Sequence, residues 1–196
     1  MMQTMAGPYR GALVGAILLS LGLASAVGAA EPIRSGLQPG EKITAIFEPL
    51  NVNGEHAGEP YCLICENGLS PVVMIFARER SKPLEQLLTR LEAAVARHQP
   101  QSLGAFVVFL GETDQWRAVA TELARSLNLK RVVLSVDAAA GPEGFNVHPD
   151  AAVTVVLYRE HEVKANHAFR PGELTAQACE KILADLPKIL TEEPRR

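Results

Sequence analysis

Three apolar runs of strand length constrain this chain more than any other feature: Pro71 to Ala77 (PVVMIFA), Leu103 to Leu110 (LGAFVVFL) and Arg131 to Val136 (RVVLSV). A strand with one wet face alternates apolar and polar residues. A run without that alternation belongs to a strand covered on both faces. Between the first two runs, Leu84, Leu87, Leu88, Leu91 and Val95 recur at helical spacing behind Ser81 and Pro83, which suit a helix cap and first turn. Between the second and third, Trp116, Val119, Ala120, Leu123 and Leu127 form a second stripe, with Thr113 as its cap. Strands alternating with helices build a parallel sheet with helices packed on it.

The flanking segments complete the pattern. Lys42 to Phe47 (KITAIF) reads as a first strand, and Asp137 to Asp150 as a loop rich in Ala, Gly and Pro. Val153 to Tyr158 and Val163 to Phe169 flank a turn at Arg159 to Glu162, which makes a hairpin. After Pro171-Gly172, Ala178, Cys179, Ile182, Leu186 and Ile189 mark a last helix that Pro187 kinks or ends. The expected fold class is α/β: a central, mostly parallel sheet with a C-terminal β-hairpin and helices on both faces.

The start of the chain has a different character. Arg10 is the one charge in the first thirty residues, followed by the apolar run Gly11 to Ala24 and the small residues Ser25 to Ala30. This three-part pattern is that of a secretory signal peptide, and its apolar run is shorter than the ~20 residues of a membrane-spanning helix. The expected organisation is a signal peptide at 1–30, an exposed lead-in at 31–41, one domain at 42–190 and a polar tail at 191–196. The expected location is periplasmic or secreted, with no membrane attachment after cleavage. The chain has 19 Lys and Arg against 22 Asp and Glu, scattered rather than clustered, which excludes a nucleic-acid footprint. Three cysteines are too few for a disulfide scaffold, so the hydrophobic core must hold the fold.

This element order, together with Cys62-Leu63-Ile64-Cys65, resembles the thioredoxin superfamily, and within it the peroxiredoxin-like, or redoxin, branch. Asn51 to Ala77 is similar to that branch's entry segment, Gly144-Phe145-Asn146-Val147 to its Tyr-Gly-Val element, and Val153 to Tyr158 to the strand that follows. The resemblance implies a thioredoxin-like domain over 42–190. It also implies a reactive cysteine just after the central strand, where helix N–H groups stabilise a thiolate. This chain has Arg78-Glu79-Arg80-Ser81 there, and its cysteine pair lies ahead of the strand. Val153 stands where the superfamily has a cis-proline, with Pro149 four residues upstream.

Cys62 and Cys65 are therefore the candidate catalytic residues. Three readings are open to them: thiol–disulfide exchange with another exported protein that has thiols or a disulfide, a static disulfide in a non-catalytic binding or structural domain, or binding of a soft metal such as copper or zinc. Arg78, Arg80 and Lys82 are the cations available to depress a thiol pKa, and His148, His161 and His167 the available further metal ligands. His56 and His98 read as surface residues, and Cys179 as a buried free thiol on the last helix's apolar stripe. Peroxidase chemistry is not expected without a thiol at the start of the first long helix. No Gly-rich phosphate loop, serine elbow or paired carboxylates appear, so no cofactor is expected.

Overall fold

The computed structural model describes residues 31–190, together with Gln3. The expected signal peptide and polar tail lie outside the described residues. The described residues from Pro32 to Leu190 form one compact unit. Its elements are β1 (Leu50–Asn51), α1 (Leu63–Asn67), β2 (Val72–Ala77), α2 (Lys82–Arg97), β3 (Gly104–Leu110), α3 (Thr113–Ser126), β4 (Val133–Asp137), β5 (Val153–Arg159), β6 (Glu162–Phe169) and α4 (Ala176–Ala184). No helix among the described residues is long and apolar enough to cross a membrane.

The sheet order is β1-β4-β3-β2-β5-β6. The expected parallel part is the three central strands, with β2 beside β3 and β3 beside β4. The expected hairpin is β5-β6, antiparallel and joined to β2. Its turn is tight because Glu160 and His161 both adopt positive φ, 55° and 58°. That pairing is the backbone of a two-residue turn whose twist matches the strands it joins.

Every residue of β2 is buried, which is why its sequence shows no alternation. Val73, Ile75 and Ala77 face one core together with the buried stripes of α2, α3 and α4. Val72, Met74 and Phe76 face a second core. Helices stand on both faces, but unequally: α1, with Leu63 and Ile64, is the helix of the second core. On the first face, α2 starts as the sequence indicates, with the Ser81 hydroxyl accepting from the Leu84 N–H at 3.4 Å. The cap of α3 is Glu112 rather than Thr113: its carboxylate accepts from the Asp114 N–H, and Thr113 is the first helical residue. Pro187 sits in a 3₁₀ turn at Leu186–Lys188, after α4 has already ended at Ala184.

Two expectations about the N-terminal part are corrected. Lys42 to Phe47 is extended but is not a ladder strand, and makes a single isolated bridge from Lys42 to Glu162. Its alternation is real, because Ile43, Ala45 and Phe47 turn toward the second core. Periodicity reports which side chains point inward, not whether a neighbouring strand pairs with the backbone. The strand that does pair here is β1, against β4. The exposed lead-in is likewise replaced by a strap whose middle is buried, Ser35 at 1% and Leu37 at 7% exposure. The Ser35 hydroxyl lies 2.6 Å from the Thr154 hydroxyl and accepts from the His148 N–H at 2.9 Å. The Asn166 amide donates to the Ser35 and Leu37 carbonyls. Strap and Lys42–Phe47 segment thus cover a face on which one short helix stands among the described residues.

One ionisable group ties the layers. The Glu92 carboxylate, on α2, accepts from the backbone N–H groups of Arg131 and Val132 at 3.0 and 2.9 Å and from the Arg131 guanidinium at 3.3 Å. Burial pulls its pKa up, but these donors and the Lys130 N–H together hold it below the ordinary 4.5. The unfolded chain therefore binds this proton more readily than the folded one. The stabilisation is complete above the unfolded value and is lost as pH falls through the folded pKa. Glu92→Gln should accordingly flatten the acid limb of stability. Urea unfolding from pH 7 down to pH ~3 checks this; an unchanged slope would remove Glu92 from the account.

Candidate functional site

The segment that carries the cysteine pair is fixed before it reaches them. Asn51 is buried, and its carboxamide oxygen accepts from the Ser135 hydroxyl at 2.7 Å. The Asn53 side chain accepts from the Leu134 N–H at 2.7 Å and donates to the Val132 carbonyl. The chain then returns: Asn51 N–H donates to the Glu59 carbonyl, Leu50 bridges Pro60, and Tyr61 N–H donates to the Pro49 carbonyl. The Tyr61 ring stacks on His56 with centroids 3.4 Å apart. Tyr61 hands the chain directly to Cys62.

Cys62 is extended (φ −81°, ψ 98°) and is the N-cap of α1. Its sulfur accepts from the Cys65 N–H at 3.1 Å, the role a serine or asparagine oxygen usually takes. Cys62 and Cys65 are joined in a disulfide, with Cα atoms 5.3 Å apart. Leu63 and Ile64 point into the second core at 3% and 2% exposure, and this rolls the helix so that Cys65 and Glu66 face solvent. Gly68 closes α1, its N–H donating to the Ile64 carbonyl at 3.0 Å. Asn67 anchors the far end against β3: its amide donates to the Leu63 carbonyl, and its oxygen lies where a Cβ on Gly104 would be, 1.9 Å from that position. The two cysteines therefore differ sharply as residues: Cys62 is 7% exposed and Cys65 is exposed.

The other residues singled out in the sequence do not join the pair. The Arg78 guanidinium donates to the Ala139 carbonyl, Arg80 pairs with Glu85 and Glu122, and Lys82 pairs with Glu85 at 3.2 Å. His148 Nδ1 accepts from the Asp150 N–H, and His167 lies 3.1 Å from Asp185. His161 sits in the hairpin turn, with its Nε2 buried and unpartnered. Among the described residues, no group of three His, Cys, Asp or Glu side chains is placed to hold a metal ion. Cys179 is a free thiol, 2% exposed, donating to the Pro83 carbonyl at 3.4 Å, and burial pushes its pKa up.

After the central strand, where the resemblance puts the reactive cysteine, the chain has a cavity of about 510 Å³. Arg78, Glu79, Pro149, Asp150, Arg170 and Pro171 help to line it. Pro149 thus reaches that end of the sheet, while Val153 opens β5 directly opposite Ala77. Burial lowers the Arg78 pKa, and its Nε has no hydrogen-bond partner. Sequence reasoning missed the unequal exposure of the two cysteines and the strap hydrogen bonds. The adjacent apolar pair Leu63-Ile64 is the signal that carries the first; no signal marks Ser35.

No protein-family profile matches the chain, and no curated protein matches its sequence. Solved structures do match its fold. An uncharacterized conserved protein from Geobacillus kaustophilus is similar with a TM-score of 0.58 at 14% identity, covering 82% of this chain and 89% of that one. A reduced 2-Cys peroxiredoxin from Plasmodium vivax is similar with a TM-score of 0.56 at 14% identity, covering 76% and 80%. A candidate protein disulfide isomerase from Bacteroides thetaiotaomicron follows with a TM-score of 0.54 at 16% identity, covering 78% and 92%. The chain has a thioredoxin-like fold, with its Cys62–Cys65 pair at the start of a short helix ahead of the central strand.

Proposed function

We propose that this protein is an exported thiol–disulfide oxidoreductase that exchanges its Cys62–Cys65 disulfide with the thiols of other exported proteins. The observation that carries this reading is a disulfide between an exposed residue, Cys65, and a buried one, Cys62, whose sulfur is hydrogen-bonded at a helix start. Such a bond offers both an accessible point of attack and a stabilised leaving thiolate. The leader supports export, and the likeness to a candidate disulfide isomerase agrees with exchange chemistry. Peroxide reduction is not part of this reading, because Arg78 to Ser81 place no thiol at the start of α2.

A static disulfide is the second reading, favoured by the burial of Cys62 within the second core. The reduction potential of the pair separates the two. An exchanging pair should lie between about −120 and −270 mV, and a structural one below about −300 mV. Redox titration of the purified protein against glutathione and dithiothreitol buffers measures it. A value in the lower range would reject the exchange reading.

A further inference from the structure

We infer that Cys65, and not Cys62, is the sulfur that thiol partners attack, with Cys62 acting as the buried leaving and resolving group. This assignment rests on the exchange reading above and specifies the direction in which that site works.

The asymmetry of the site carries it. Cys62 lies in the second core with Leu63, Ile64 and Val72, while Cys65 lies on the outer side of α1 beside exposed Glu66. Displacement at sulfur is in line: the attacking thiolate approaches opposite the sulfur that leaves. Attack on Cys65 comes from solvent. Attack on Cys62 requires approach through the packed side chains that enclose it.

The electrons also move well in this direction. A partner thiolate bonds to the Cys65 sulfur, and the Cys62–Cys65 bond breaks. Its electron pair leaves on Cys62 as a thiolate, which keeps the N–H bond that Cys65 donates to it now at 3.1 Å. The second thiolate of a dithiol partner then attacks the partner's own sulfur in the mixed disulfide and releases Cys65 as a thiolate. The partner loses two electrons and becomes a disulfide; the Cys62–Cys65 pair gains them. In the reverse direction, the Cys65 thiolate opens the partner disulfide, and Cys62 resolves the mixed disulfide by attacking Cys65. Every covalent complex with a partner thus passes through Cys65. The roles follow from the Leu63-Ile64 anchor, since the side of α1 that it buries fixes which sulfur is left outside.

Two measurements on the full chain test this. The reduced native protein is treated with limiting iodoacetamide, and labelling at each cysteine is followed by peptide mapping. Cys65 should react at least about tenfold faster than Cys62 or Cys179. The oxidised protein is then mixed with reduced glutathione, quenched in acid and mapped, with the adduct expected on Cys65. Cys62→Ser, whose hydroxyl can still cap α1, is instead treated with oxidised glutathione: the Cys65 thiolate should displace one glutathione thiolate and hold the other as a stable adduct. Equal labelling of Cys62 and Cys65, or an adduct on Cys62, would overturn the assignment. If no adduct forms, the exchange reading fails and this proposal falls with it. If the adduct forms on Cys62, exchange stands and only the assignment falls.

Discussion

Phe145→Ala should destabilise the protein by about 3–5 kcal/mol, the usual cost of removing a large buried aromatic side chain. Phe145 is 1% exposed, although it lies in the long loop after β4. Its ring meets Phe47 edge-on at 5.0 Å and Phe76 at 5.8 Å, so it joins the loop, the Lys42–Phe47 segment and the central strand. The neighbouring backbone is committed to the same junction: the Asn146 carbonyl accepts from Gly36, and a Cβ on Gly144 would come within 2.8 Å of that of Ala45. With so many partners held elsewhere, the cavity can close only partly, which places the cost toward the upper end. For a domain of this size the melting temperature should fall by about 6–20 °C. Thermal unfolding of the variant is the check, and a fall under about 3 °C would mean that the second core closes without this ring.

Cys62→Ser should abolish turnover of a disulfide substrate down to the uncatalysed background while leaving the protein folded. Serine is a good N-cap, and its hydroxyl can take the hydrogen bond that the Cys62 sulfur now accepts from Cys65. What is lost is the bond itself. Closing a loop of this length contributes about 2 kcal/mol through the unfolded chain. The melting temperature should therefore fall by roughly 4–8 °C. Full activity with a normal melting temperature would exclude Cys62 from the chemistry. Calorimetry and turnover on the same preparation separate the two effects.

The fold was legible wherever burial leaves a periodic trace. The unbroken runs of β2 and β3 announce strands covered on both faces, and the leucine stripe behind Ser81 announces α2. The strap was not legible. Its contacts are hydrogen bonds from Ser35, Gly36 and Leu37 to residues more than a hundred positions away, and such pairings leave no local period. Thr113 failed as a cap for a subtler reason: Glu112, one residue earlier, carries a carboxylate that reaches the same free N–H groups. At the site, the identity of the pair was plain from spacing. The exposure of each sulfur was not, because it depends on which side of a five-residue helix meets the core.

The strap also sets an order of assembly. Its residues are made early, yet Thr154 and Asn166, which fasten Ser35, come 119 and 131 residues later. Joining ends that far apart costs roughly 4 kcal/mol of chain entropy before any contact repays it. Local βαβ units meet no such delay, and folding slows as contacts become more distant in sequence. On a growing or threading chain, the first face of the sheet can therefore consolidate around α2 and α3 while the second still lies open. Phe76 and Phe106 lie on that second face, whose strap cannot fasten until the last hairpin is in place. The protein stays unfinished, with a greasy face showing, until nearly all of its chain has arrived.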